Sequence, residues 1–382
     1  MSEYQHLGAY SDLVRVARER QSGPVPPAFP GARTRALVRD TLGFGGGLET
    51  PGDVRVEQRW KSDGLLGEEI SWSVGFGPRT HAYLLKPANI DEPLPGVLAL
   101  HSHDGITFYG KEKVADGPSD VPPVVAALRA RQYGNRAFAG ALAREGFVVL
   151  AHDIFLWGSR RFPIETLPPQ TRRHADNCWQ LSPSCEVSDE VAWHDAASWH
   201  HEHIVEKYCA LLGTTLAGVV AFEDRIAAAY LTSRPDVAPA GIGCIGLSGG
   251  GCRAALLQAT CEQVAAAVIV GMMSTYDGLL DRHVAGHGWL FFPAAWPRHG
   301  DWPDLAACRA PSPLLVQYNR HDQLFSPAGM RAAHERLTAH YRHAGRPDRY
   351  TGQFFDGPHK FDAAMQQTAF AWLRHHLVAA TS

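Results

Sequence analysis

The stretch Gly241-Ile242-Gly243-Cys244-Ile245-Gly246-Leu247-Ser248-Gly249-Gly250-Gly251-Cys252-Arg253 decides the fold. Gly241–Leu247 is an apolar run of strand length, and Cys252–Thr260 continues as a helix rich in small residues. Between them, Gly246-Leu247-Ser248-Gly249-Gly250 reads G-x-S-x-G. The flanks supply the strand–turn–helix that displays a serine nucleophile at the top of a sheet. The glycines have a mechanical task. Such a turn forces Ser248 into a strained backbone geometry, and side chains two positions to either side would collide.

Outward from this turn, the same texture repeats. Pro95–His101, Gly146–His152, Ala265–Val270, Leu314–Tyr318 and Tyr350–Phe355 are continuous apolar runs of strand length, the pattern of parallel strands buried on both faces. Helical patterns separate them at Arg129–Arg144, Leu212–Ser233, Ala328–His343 and Asp362–Val378. The alternation predicts an α/β fold with a doubly wound, mostly parallel sheet. Ahead of it, Val54–Trp60, Glu69–Val74 and Thr80–Leu85 read as antiparallel hairpins at the sheet edge. Residues 1–50 read as a helical lead: a weak apolar face at Leu13, Val14, Val16 and Ala17, a stop at Pro24 to Pro30, then a short helix over Arg33–Leu42. Residues 51–382 form the main domain. Two stretches without strand runs, 160–207 and 274–310, are expected to be cap or lid insertions at the carboxyl edge of the sheet, where such sheets bind ligands.

Composition excludes several classes. The 382 residues are 45% apolar and 20% charged, the mix of a globular chain. A net charge of −3, with no dense Lys/Arg run, argues against nucleic acid as a partner. The longest apolar stretch, Leu211–Tyr230, is broken by Glu223, Asp224 and Arg225, so no membrane span is expected. Seven scattered cysteines without a CxxC pair fit neither a disulfide framework nor a zinc knuckle. With an N-terminus lacking a signal pattern, they point to the cytoplasm. No cofactor is expected, and a homodimer is left open by the N-terminal lead.

A serine needs a base and an acid that orients the base. On a sheet of this kind they follow the serine in the order acid, then histidine, each just after a later strand. Asn319-Arg320-His321-Asp322 leaves the strand Leu314–Tyr318, and Asp356-Gly357-Pro358-His359 leaves Tyr350–Phe355. Asp322 and His359 therefore complete a triad with Ser248, with His321 and Asp356 as competitors one role out of register. For the oxyanion hole, backbone N–H groups are required. One is assigned to Gly249, the other to His103 in the loop His101-Ser102-His103-Asp104-Gly105. His101, His103 and Asp104 also present metal-ligand types, but no further ligand lies nearby in sequence, so no metal is expected. His200-His201-Glu202-His203 does not match H-E-x-x-H and reads as a solvated or lid histidine patch.

These residues resemble the dienelactone-hydrolase-like and acetyl-xylan-esterase-like branch of the α/β-hydrolases. The resemblance spans roughly Tyr83 to Leu377. Its anchors are the His101–Gly105 loop with Gly110-Lys111-Glu112, Asp153 with Trp157-Gly158-Ser159-Arg160, Ser248-Gly249-Gly250-Gly251-Cys252-Arg253, and Gly357-Pro358-His359-Lys360-Phe361. Two departures stand out: Ser102 occupies a position where the family carries Gly, and dienelactone hydrolases proper use Cys as nucleophile. The resemblance implies a serine esterase acting on a small-molecule ester. Asp104 and Arg253 are read as touching the acid or alcohol portion of the substrate, with membership of a structural ion pair as the other reading of Arg253. Cleavage of a carbon–carbon bond in a β-diketone by the same triad, and a non-catalytic binding protein on the same fold, are the alternatives.

Overall fold

The computed structural model describes residues 4–20, 28–47, 49–181 and 189–378. Nine strands form one sheet: β1 (Gly52–Ser62), β2 (Leu65–Ser73), β3 (Thr80–Pro87), β4 (Gly96–Leu100), β5 (Val148–His152), β6 (Ile242–Leu247), β7 (Val264–Val270), β8 (Leu314–Asn319) and β9 (Tyr350–Phe355). Their spatial order is β1-β2-β3-β5-β4-β6-β7-β8-β9. The first three strands and the β3–β5 pair are antiparallel, and every later pairing is parallel.

From β4 the chain moves outward to β5, then returns to lay β6 against the other side of β4. This reversal opens a crevice at the carboxyl ends of β4 and β6, the position at which open α/β sheets bind ligands. The His101–Gly105 loop leaves β4 there, and Ser248 leaves β6.

The helices are α1 (Leu13–Arg20), α2 (Ala32–Leu42), α3 (Pro123–Gln132), α4 (Phe138–Arg144), α5 (Pro169–Leu181), α6 (Asp189–Leu211), α7 (Leu216–Thr232), α8 (Gly249–Thr260), α9 (Trp302–Ala307), α10 (Pro327–His343) and α11 (Ala363–Val378). They cover both sheet faces. Alternate residues of β4 divide accordingly: Leu98 and Leu100 pack in one core with α7 and α8, while Val97 and Ala99 pack in the other with α3, α4 and α11. Burial on both sides is why the inner strands β4 to β8 read as apolar runs, whereas Tyr350–Phe355, expected to be buried likewise, is the edge strand β9 and only half-buried.

Several expectations change. The single helix expected over Arg129–Arg144 is two, because Gly134 (φ 64°) and Asn135 (φ 59°) turn left-handed after α3. The Asn135 amide folds back to the Arg129 carbonyl and closes that helix. The described residues of the 160–207 stretch are mainly helical, forming α5 and most of α6. Its helical period escapes a hydropathy reading because the buried positions of α6 include His194, His201, Glu202 and Glu206 beside Ala197, Val205 and Cys209. The 274–310 stretch holds three short 3-10 turns and α9. In the N-terminal lead, α2 docks on this same chain: Val38 and Leu42 are buried, Arg39 donates to the Thr260 carbonyl (2.6 Å), and Thr214 Oγ1 donates to the Leu42 carbonyl (2.9 Å). Among the described residues no single helix is long and apolar enough to cross a membrane.

Candidate active site

Ser248 sits at the junction of β6 and α8 with φ 57° and ψ −120°, a left-handed geometry costly for a residue with a Cβ. Its amide donates to the Val270 carbonyl (2.8 Å), which anchors the turn to β7. The surrounding glycines permit close backbone approach. A Cβ on Gly246 would collide with the Gly250 backbone, and one on Gly250 with the Leu100 carbonyl at the end of β4. A Cβ on Gly249 would lie 2.9 Å from the His103 nitrogen, so the loop after β4 rests directly on the turn.

The loops after β8 and β9 meet beside this turn. His359 Nδ1 is 2.7 Å from Asp322 Oδ2, and the other carboxylate oxygen, Oδ1, accepts from the Leu324 amide (2.9 Å). Asp322 is buried, with 6% of its surface exposed. Backbone bonds hold the two loops together, from Arg320 N to Phe355 O (2.9 Å) and from His321 N to Gly357 O (3.1 Å). Because Nδ1 donates to the carboxylate, Nε2 is left as the basic nitrogen. It is buried and has no hydrogen-bond partner among the described residues. The competitors lie elsewhere: His321 is exposed, and the Asp356 side chain is 85% exposed beside Arg320.

Ser248, Gly249, His359, His103 and Asp104 line one cavity of about 310 Å³. Its apolar walls come from Trp199 of α6, and from Leu290, Phe291 and Phe325. His287 also lines it. Its Nε2 donates to the Leu324 carbonyl (3.1 Å), and burial pushes its pKa down to about 4, so it stands as a neutral imidazole.

The His101–Gly105 loop is tied on several sides. The Ser102 hydroxyl bridges Tyr133 OH (2.8 Å) and the Asp104 carboxylate. The His103 ring accepts from the Gly105 amide at Nδ1 (3.1 Å), so Nε2 carries the hydrogen and donates to Glu202 Oε2 (2.7 Å). Glu202 also accepts from the Trp289 amide. Burial alone would raise the Glu202 carboxyl; the His103 imidazole and these hydrogen bonds hold it below its usual value. One buried carboxylate thus joins α6, the 274–310 stretch and the loop after β4.

Two readings from sequence are corrected. Arg253 does not reach the cavity. It is fully buried one helical turn below Gly249, where Nη2 pairs with Asp224 Oδ1 (2.6 Å) and Nη1 donates to the His101 carbonyl (3.3 Å). Burial raises the Asp224 carboxyl, but Arg253 and His152 hold it down at about 2. The pair therefore braces the interior rather than a substrate. The 200–203 cluster, read as a solvated or lid patch, is solvated only in part: His203 is exposed, whereas His201 and Glu202 are buried and His201 packs edge-on against Phe162 at 4.7 Å. No group of three or more His, Cys, Asp or Glu among the described residues is arranged to hold a metal. Both ring nitrogens of His103 are already engaged by protein groups.

Comparison with known proteins agrees with this topology. Over 300 residues the chain is 25% identical to the Bacillus subtilis (strain 168) protein named "Putative hydrolase YtaP", covering 78% of this chain and 82% of that one. It superposes on the "putative acetyl xylan esterase" of Bacteroides fragilis NCTC 9343 with a TM-score of 0.65 at 14% identity, covering 91% of this chain and 82% of the other. It superposes on the glucuronoyl esterase from Solibacter usitatus with a TM-score of 0.58 at 14% identity, covering 90% and 91%. No protein-family profile matches the chain. At these identities the structural likeness establishes the fold.

Proposed function

We propose that this chain, an α/β-hydrolase by fold, is a serine hydrolase that cleaves small-molecule carboxylic esters through an acyl-enzyme. The observation that carries the reading is the convergence of Ser248 on its left-handed turn and the Asp322-braced His359 on one cavity. The esterase names of the structural neighbours support the same bond class.

In this mechanism Ser248 Oγ attacks the ester carbonyl as His359 Nε2 takes its proton. The tetrahedral oxyanion is received by the amides of His103 and Gly249. His359 then protonates the departing alcohol. A water, activated by the same nitrogen, hydrolyses the acyl-Ser248 ester and restores the hydroxyl. Asp322 holds His359 in the tautomer with Nε2 free and stabilises the imidazolium when it forms. Asp104 lines the cavity, its carboxylate already hydrogen-bonded to Ser102, and is the polar group offered to substrate.

The test is turnover of p-nitrophenyl esters from acetyl to octanoyl by wild type and Ser248→Ala, with phosphonate labelling of the serine. Loss of turnover and label in the variant is expected, with a preference for short acyl chains set by the compact cavity. Unchanged turnover in Ser248→Ala would refute the assignment.

A further inference from the structure

Lys113 is a lysine with no role in the mechanism above, and its side chain is fully buried. It lies on a 3-10 turn, Lys111–Lys113, directly behind the loop that follows β4. Its acceptors are two carbonyls rather than carboxylates: Nζ donates to Ser102 O (2.7 Å) and to His103 O (3.0 Å). Burying an ammonium is costly, and carbonyl dipoles offset that cost less well than a paired carboxylate does. Its neighbour Lys111, by contrast, is held between Glu112 and Asp153.

Which carbonyls are engaged matters. The Ser102 carbonyl belongs to the same peptide unit as the His103 amide, and the His103 carbonyl to the same unit as the Asp104 amide. In a trans peptide the N–H points opposite the C=O. Drawing both carbonyls toward Nζ therefore turns both amides away from it. His103 and Asp104 line the cavity, and the His103 nitrogen is the atom that a Cβ on Gly249 would touch. The Ser102 carbonyl also accepts from His101 Nδ1 (3.1 Å), so two donors polarise the peptide that carries the His103 N–H. Hydrogen bonds in series strengthen one another.

We infer that Lys113 is the positioning residue of the oxyanion hole, its buried ammonium aiming the His103 and Asp104 amides into the cavity and adding positive charge behind them. The inference rests on the esterase reading above and assigns a residue to its transition-state stabilisation. Its charge is conditional on pH. Burial drives the Lys113 pKa down, and Arg253 of α8 acts the same way. Asp104 of the loop, Asp195 of α6 and Glu112 of the same turn oppose that shift, and the balance is about 8. The neighbouring His101 is neutral, its pKa held well below the usual value by burial, Arg253 and Lys113. The ammonium is present below about pH 8 and is lost above it, so acyl transfer falls on the alkaline side.

The experiment measures kcat and KM for p-nitrophenyl acetate from about pH 6 to about pH 9.5 in wild type, Lys113→Met and Asp195→Asn. Lys113→Met is expected to lower kcat about 10- to 100-fold with KM nearly unchanged, less than the loss of a whole oxyanion donor. The alkaline fall seen in wild type is expected to vanish in that variant. Asp195→Asn keeps Lys113 and removes a charge that supports its protonation, so the fall should move to lower pH. This second variant keeps the test decisive if Lys113→Met does not fold. An alkaline limb that persists in Lys113→Met, or that does not move in Asp195→Asn, would overturn the role of Lys113 while leaving the triad intact. Absence of Ser248-dependent phosphonate labelling in wild type would instead remove the active-site reading, and this inference with it.

Discussion

Asp322→Asn tests the site at its most constrained hydrogen bond. The two residues are isosteric and the position is buried, so the fold should survive. The wild-type carboxylate serves two donors, His359 Nδ1 at 2.7 Å and the Leu324 amide at 2.9 Å. An asparagine has one carbonyl oxygen to give. If that oxygen stays on Leu324, the NH2 faces His359, Nδ1 must accept, and the proton moves to Nε2. The nitrogen meant to act as base is then occupied. Turning the amide end for end would set NH2 against the Leu324 N–H and leave that amide unsatisfied, at a cost of about 1–3 kcal/mol. The wrong tautomer is therefore favoured, and kcat should fall about 10⁴-fold, or about 5 kcal/mol of barrier. Asp322→Ala permits either tautomer and should be no worse than Asp322→Asn, an order that simple loss of charge does not produce. The assay is ester turnover and the rate of phosphonate labelling, with thermal melting as a control for folding. Activity of Asp322→Asn within about tenfold of wild type would refute the orienting role. Asp356→Asn, at an exposed carboxylate, should leave kcat unaltered.

Two further perturbations separate bracing from chemistry. Arg253→Met strands the buried Asp224 carboxylate, and breaking such a pair costs about 3–5 kcal/mol. With about 2.1 cal/mol/K of unfolding entropy per residue over 382 residues, that is a fall in melting temperature of about 4–6 °C by calorimetry. KM at temperatures well below the transition should not change, whereas a substrate-binding arginine would raise it. Glu202→Gln replaces a carboxylate serving two donors with a neutral amide, weakening the hold on His103 by about 1–1.5 kcal/mol. It should lower kcat about tenfold at nearly constant KM; a selective rise in KM would show that Glu202 acts on substrate instead.

The elements that sequence revealed are those whose signal is local. The strand Gly241–Leu247, the turn at Ser248 and the helix behind it announce themselves through apolar run length and glycine spacing within a dozen residues. The loops after β8 and β9 were legible because each follows a strand, buried in β8 and half-buried at the sheet edge in β9, and their chain order relative to Ser248 is set by the winding of the sheet. Helix α6 was not legible as a helix. Its inward positions carry His194, His201, Glu202 and Glu206, and a periodic pattern of buried polar groups is silent to hydropathy. Arg253 was misread for a related reason. Its place five residues after Ser248 puts it near the serine in sequence, but the turn of α8 carries its guanidinium inward to Asp224.

Sequence by itself thus determined the layered α/β architecture, the serine turn and the two loops, after β8 and β9, in which Asp322 and His359 were sought. Strand burial, turn chemistry and chain order are decided by neighbours along the chain. Only the tertiary structure decided what holds the loop after β4 in place. Glu202 reaches His103 across 99 positions, and the Lys113 ammonium reaches the Ser102 and His103 carbonyls from a turn with no helical or strand periodicity. A carboxylate or an ammonium in sequence reads as solvent-facing. Its contacts here come from being desolvated against particular partners, and that is a property of packing, which no stretch of chain carries alone.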